Sequence, residues 1–335
     1  MGLGTIKEYA RLMRLKAMGI STIAVFGALS VKGSLEIWHF LLLFLIGIPF
    51  NILGFVFNDI IDLEIDKKSK ELSERPLVKG TVPIRAAKII SIICFVLIFS
   101  LAIFFFRDLF ALLILTLSVI LGLVYDSWGK RFLGSDFILA ASIALFCLFG
   151  AITVTHNIER FTIIIVTLIF IHVLFFNMIE GGFKDVKNDR ESGAKTSAVV
   201  LGITTDFKVF IPNSFKIIAI TIELSATFLV FLPFILLPEM YNFAYWYIQI
   251  FILILLTMSL VLTMFTMLNM KFFDRVNVRN IITKQEIKRN IVTVVLLMSV
   301  AGVLWSIVLV LIPIVWYIFF SFFLFEKPFI SSKML

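Results

Sequence analysis

Hydrophobic runs separated by short charged clusters divide the chain from end to end. Reading apolar stretches between charges gives nine candidate spans, at approximately 17–31, 36–57, 87–106, 108–125, 136–155, 161–183, 215–238, 243–270 and 290–325. Each is continuously apolar rather than alternating, and about 20 such residues in helical form cross a hydrocarbon core about 30 Å thick. The pattern predicts an all-α polytopic membrane protein of about nine transmembrane helices. The first span is short and is expected to extend back through the amphipathic start of the chain. The last is too long for one simple span; either Pro313 kinks it or its end lies in the membrane interface.

Composition reinforces this picture. The chain is 61% hydrophobic with 38 Phe and a mean hydropathy of +1.08, beyond the roughly half-apolar usage of soluble domains. Its 335 residues are read as a single intramembrane domain, 1–335, with polar loops at 58–86 and 184–214. A formal charge of +8 would point to nucleic acid in a soluble protein. In a membrane protein it reflects Lys and Arg gathered in cytoplasmic loops, so no nucleic-acid partner is read, nor any protein partner. All but five of the 30 Lys and Arg fall on the side of the amino terminus and the loops at 58–86, 126–135, 184–214 and 271–289. The exceptions are Lys32, Arg107, Arg160, Lys327 and Lys333. This asymmetry places the amino terminus and the large loops in the cytoplasm. Cys94 and Cys147 lie inside apolar runs, which indicates neither a disulfide framework nor a thiolate metal site. No cleavable signal peptide is evident.

Two acidic stretches interrupt this economy of charge, "FNDIIDLEID" at 57–66 and "FKDVKNDRESGAKT" at 183–196. Both follow even-numbered spans on the same side of the membrane. Carried on helically, Asn58, Asp62 and Asp66 recur at i, i+4, i+8 and share one face, with Asn51 on the same stripe inside the membrane. Asp59 turns about 100° away from Asn58. Asp185 and Asp189 again sit at i, i+4. Like charges at this spacing repel, and a hard cation such as Mg²⁺, bound through oxygen ligands and substrate phosphates, would compensate them. His39, His156 and His172 are isolated, so no zinc spacing exists. The plainer alternative makes these acids solvated loop charges paired with nearby lysines. Arg75, Lys79, Lys130, Arg131, Lys184 and Lys195 are suited to neutralising a diphosphate, although topology alone accounts for most of the basic residues. For Asn51, an amide bridging two helices competes with a substrate contact.

Taken together, the motifs carry a family resemblance. "NDIIDLEID" (58–66) resembles the N-D-x-x-D-x-x-x-D signature of the UbiA superfamily of intramembrane prenyltransferases, and "RPLVKG" (75–80) resembles its R-P-L-x-x-G. "YDSWGKR" (125–131), "DVKNDRESGAKT" (185–196) and the amino-terminal "RLMR" (11–14) match further elements in the family's order. The resemblance implies one bundle of nine helices around a central cavity. It also implies transfer of a polyprenyl chain from its diphosphate to a lipophilic acceptor, an aromatic quinone precursor or a glyceryl-phosphate lipid. Carried over residue by residue, Asn58, Asp62 and Asp66 would bind one Mg²⁺ and Asp185 and Asp189 a second. Tyr125, Lys130 and Arg75 would serve catalysis, Tyr125 beside the reacting allylic carbon. Arg14, Asn51, Lys130, Arg131, Lys184 and Lys195 would contact substrate. Val78-Lys79 replaces the common Pro-Ser. Lys16-Ala17-Met18 stands where hydroxybenzoate-using members often carry Asp-Lys-Pro, which weakens that acceptor.

Other classes place acids in membrane bundles. An ion or lipid transporter would carry them near the midplane beside broken helices, whereas here they cluster at span ends. A CDP-alcohol phosphatidyltransferase would open its motif with D-G-x-x-A-R, which is absent.

Overall fold

The computed structural model describes residues 2–31, 35–69, 72–129, 131–205, 208–241 and 245–325. Within them the structure is helical. Seven helices are long and apolar enough to cross a membrane, and two shorter apolar segments, Gly19–Leu29 and Asp136–Ile152, complete the set of nine that the hydrophobic runs predict.

The chain opens with α1 (Leu3–Leu12), then breaks: Arg14 adopts φ 47°, and a 3₁₀ turn (Gly19–Thr22) leads into α2 (Ile23–Leu29). The expected extension of the first span back through the amphipathic start therefore does not form. Instead α1 lies along the polar loop, where Arg11 donates to the Glu74 carbonyl (3.1 Å) and Thr81 to Glu8 (2.6 Å). Helix α3 (Ile37–Ile61) runs into the first acidic motif, followed by the single turns α4 (Leu63–Asp66) and α5 (Pro76–Lys79). Pro76 is well placed in the first turn of α5, where a missing N–H costs nothing. Gly80, at φ 76°, ends that turn in the left-handed region open to glycine.

A short connection at 106–108 joins α6 (Ile84–Phe105), which packs mainly against α3, to α7 (Leu109–Trp128). Asp108 caps α7 by accepting from the Phe110 and Ala111 amides (2.8 and 3.1 Å). The outer face of α6 presents Ile89, Ile92, Val96 and Phe104, the surface expected toward lipid chains. Helix α8 (Asp136–Ile152) lies inside and packs against α2 backbone to backbone. A methyl group on Gly27 would collide with the Cys147 carbonyl, and one on Gly150 with that of Ala24. Small residues thus set this interface, as is usual where lipid offers no hydrophobic drive to helix pairing.

Helix α9 (Arg160–Leu174) passes through a stretch of π turns (Phe175–Gly181) into α10 (Gly182–Glu191), which carries the second acidic motif. After α11 (Ser197–Val200) come α12 (Asn213–Leu236), α13 (Trp246–Leu268) and α14 (Arg275–Phe325). Helix α14 begins well before the expected start of the last span at 290. It breaks at Gly302 (φ 81°, ψ 167°) rather than at Pro313, which stays within the helical run. Glycine alone enters that region without strain, so the break needs no proline.

Candidate active site

The first acidic motif straddles the end of α3. The helix proper stops at Ile61, yet the Asp62 amide still donates to the Asn58 carbonyl and the Asp66 amide to Asp62, each at 2.9 Å. These two bonds preserve the i, i+4 register across the break. Asn58, Asp62 and Asp66 consequently line one cavity of about 520 Å³. Asp59 is buried off that face and takes ion pairs from Arg14 (2.8 Å) and Arg75 (3.3 Å). Arg75 also grips Asp66 through a very short contact. Burial works against the Arg75 charge, but Asp59, Asp66 and Asp185 outweigh it and hold the guanidinium above its ordinary range. Glu64 points outward, exposed, and pairs with Lys67 (2.7 Å).

The second motif meets the first across the cavity. Asp185 and Asp189 both line it, and so does Lys184. Asp185 pairs with Arg275 at 2.7 Å and with Lys184 at 3.2 Å. The π turns just upstream widen the helix and change its phase, a device common where a helix must aim side chains at a site.

A third wall comes from α7, α8 and the π turns. Asn177 donates to Tyr125 Oη and to Asp136 Oδ1, both at 2.7 Å, while Ser197 donates to Asp136 Oδ2 at 2.7 Å. All four line the cavity. The chain of bonds fixes the Tyr125 ring in one orientation. Next to it, Asn58 reaches Asp126 at 3.5 Å. Deeper still, Arg289 of α14 bonds Glu180 (2.8 Å), Glu223 (3.3 Å) and Gln285 (3.2 Å), its guanidinium lying over Phe175. This group ties α14 to the π turns and to α12.

Of the residues singled out from sequence, the structure brings Arg14, Asn51, Asn58, Asp62, Asp66, Arg75, Tyr125, Lys184, Asp185 and Asp189 to the one cavity. Asn51 donates its amide N–H to the Ala17 carbonyl (3.1 Å), in the break between α1 and the 3₁₀ turn, and also lines the cavity. Arg131 and Lys195 are exposed and do not line the cavity; one follows the end of α7, the other the turn at Gly193 (φ 73°). Lys130 lies outside the described residues. Sequence reading missed Asp126, Asp136, Asn177, Ser197, Arg275 and Arg289. Only Asp126 carried a signal, sitting beside Tyr125 in a motif already marked.

Among the described residues no three acidic, histidine or cysteine groups close into a ready-made metal cage. The acids are instead neutralised across the mouth by arginines. That arrangement still suits Mg²⁺, which keeps several waters and completes its shell with phosphate oxygens rather than demanding an all-protein cage. The donors that the two sequence-predicted metal sets bring, the carboxylates of Asp62, Asp66, Asp185 and Asp189 and the amide of Asn58, are all hard oxygen ligands.

A cavity with a carboxylate- and guanidinium-lined mouth and an apolar interior, enclosed by membrane helices, is the architecture of an intramembrane prenyltransferase. The model of the UbiA prenyltransferase family matches residues 19–264, and the chain belongs to that family. It is a membrane polyprenyltransferase. Its relatives include the digeranylgeranylglyceryl phosphate synthase of Saccharolobus solfataricus, 29% identical over 247 residues, covering 70% of this chain and 86% of the relative. That of Sulfolobus acidocaldarius is 30% identical over 210 residues, covering 59% and 70%. Among solved structures, a UbiA homolog from Archaeoglobus fulgidus bound to GPP and Mg²⁺ superposes with a TM-score of 0.64 at 19% identity, over 88% of this chain and all of that one. A structure concerning digeranylgeranylglyceryl phosphate synthase gives 0.63 at 22% identity, over 90% of this chain and all of that one.

Proposed function

We propose that this enzyme transfers a geranylgeranyl-class chain from its diphosphate to the hydroxyl of a glyceryl-phosphate lipid. The cavity mouth faces the cytoplasm in this reading. The observation that carries it is the convergence of both acidic motifs, with Arg14, Arg75 and Lys184, on one mostly apolar cavity. The acceptor is supported by the relatives, which are digeranylgeranylglyceryl phosphate synthases, and by Lys16-Ala17-Met18. Asn58, Asp62 and Asp66 would hold one Mg²⁺, and Asp185 and Asp189 a second. When bound, Mg²⁺ supplies stabilisation of the negative charge that builds on the departing diphosphate oxygens.

The protein's own groups do the remaining work. Arg75 and Arg14, now paired with Asp59 and Asp66, hold diphosphate oxygens, joined by Lys184 and Lys130. The bond between the allylic carbon and the diphosphate oxygen breaks, and its electron pair leaves with diphosphate. The acceptor oxygen then bonds to that carbon, and its proton passes to the released diphosphate. Tyr125, locked by Asn177, presents its ring to the electron-poor carbon. Ile20, Ile23, Phe26, Phe50 and Leu53 line the apolar part of the cavity, where they take the chain and exclude the water that would otherwise capture the allylic cation.

The test is an acceptor panel read by mass spectrometry, with purified protein, Mg²⁺ and geranylgeranyl diphosphate. The expected product is the prenylated glyceryl-phosphate lipid. Transfer to a hydroxybenzoate or naphthoate, with none to the glyceryl-phosphate lipid, would overturn the assignment.

A further inference from the structure

One strongly basic feature of the cavity mouth belongs to neither acidic motif nor to any element recognised in the sequence. Helix α14 begins at Arg275, and Arg279 follows one turn later on the same face. Arg275 lines the cavity and lies mostly buried against Asp185, at 2.7 Å. Arg279 stands one turn behind the cavity-lining Arg275, outside the lining itself, where the charges of Asp185, Arg75 and Arg14 still act on it. Guanidinium groups from three separate parts of the chain thus crowd one mouth, although like charges in a partly desolvated setting repel strongly.

We propose that Arg275 and Arg279 form a phosphate-binding pair above the second acidic motif, taking the phosphate group of a lipid-borne substrate. The inference rests on the prenyl-transfer reading and extends it to residues which that reading leaves without a role. Its logic is an exchange of anions. Arg275 now rests on a carboxylate of the second motif, as Arg75 rests on those of the first. A guanidinium fork matches the paired oxygens of a phosphate as well as those of a carboxylate. The proposed reaction brings two anionic headgroups to one cavity, a diphosphate and a phosphate ester. The mouth offers an arginine set on each side, Arg14 with Arg75 and Arg275 with Arg279. The phosphate that engages the α14 pair belongs either to the prenyl donor or to the glyceryl-phosphate acceptor.

The experiment measures ligand binding without turnover by the full chain in lipid nanodiscs, comparing wild type with Arg275→Gln, Arg275→Lys and Arg279→Gln. The probes are a prenyl thiodiphosphate that cannot react, a prenylglyceryl phosphate, and the same glyceryl lipid without its phosphate. Arg275→Gln is expected to weaken one phosphorylated ligand at least about ten-fold, the effect of losing one charge-assisted hydrogen bond. The dephosphorylated lipid should bind as before. Arg275→Lys should recover part of the loss, since it restores charge without the fork. Loss confined to the thiodiphosphate assigns the pair to the donor; loss confined to the glyceryl phosphate assigns it to the acceptor. Should Arg275→Gln fail to fold, Arg279→Gln, which leaves the pair between Arg275 and Asp185 in place, must show the same selectivity. Wild-type affinity for both phosphorylated ligands in these variants would overturn the proposal, as would equal loss of the dephosphorylated lipid. Because binding is read without transfer, an enzyme that prefers another acceptor would contradict the proposed function while the thiodiphosphate arm still tests the pair.

Discussion

Arginines pair with carboxylates in two places in this molecule, and the two places differ in kind. At the cavity mouth, Arg75 and Arg275 keep 30% and 14% of their side-chain surface exposed. They hold acids that line the cavity, on loops and helix ends. Deep in the bundle, Arg289 and its partners Glu180 and Glu223 are at 5%, 0% and 2%, clamped between α14, the π turns and α12. Water and a phosphate can replace a carboxylate at the mouth. Arg289 borders the same cavity, but its group is almost wholly buried and its charges are met chiefly by one another. In the proposed mechanism the same chemical pair serves as an exchangeable binding surface at the mouth, whereas deep in the bundle it fastens three elements together.

Changes that break one side of this contrast should leave the other alone. The largest effect on folding is expected from Arg289→Met, which strands two buried carboxylates and should cost about 3–5 kcal/mol. Thermal unfolding in detergent would show it as a large drop in midpoint. Adding Glu180→Gln and Glu223→Gln should recover most of that loss, because a neutral set of similar shape removes the unpaired charge. A deep group that mattered chiefly for catalysis would instead regain no activity when stability returned. Next in size is Asn177→Ala, which frees the Tyr125 ring. It should lower kcat about ten-fold, the scale of a lost hydrogen bond to a charged network, with KM for the prenyl diphosphate unchanged in steady-state assays. The smallest effect is expected from Glu64→Ala, within about 0.5 kcal/mol in stability and silent in activity, because this acid of the motif faces away from the cavity.

The contrast also marks what could be read from the sequence. The nine apolar runs were legible because crossing lipid demands about 20 uninterrupted apolar residues. The face shared by Asn58, Asp62 and Asp66 was legible because helical phase is a local property, and the break after Ile61 preserves it. Asp59 separates from that face for the same reason. Pairings between helices were not legible. Arg289 and Glu180 stand 109 positions apart and Arg275 and Asp185 stand 90 apart, and no periodicity reports which helix faces which. Asn177 was hidden in an apolar run, and its importance comes from π turns that no sequence pattern announces. Pro313 misled because proline is the usual suspect for a kink, whereas Gly302 supplies the break by entering a backbone region that other residues avoid.

In the proposed mechanism the two acidic motifs act together as a Mg²⁺-dependent prenyl-transfer site. Labelled geranylgeranyl diphosphate, purified enzyme and a Mg²⁺ titration test it most directly, with wild type beside Asp62→Ala and Asp185→Ala, one from each motif. Wild type should transfer only when Mg²⁺ is present, and each variant should lose about a hundred- to a thousand-fold, the range seen when one group stabilising developing charge is removed. Full Mg²⁺-dependent transfer by either variant would contradict it.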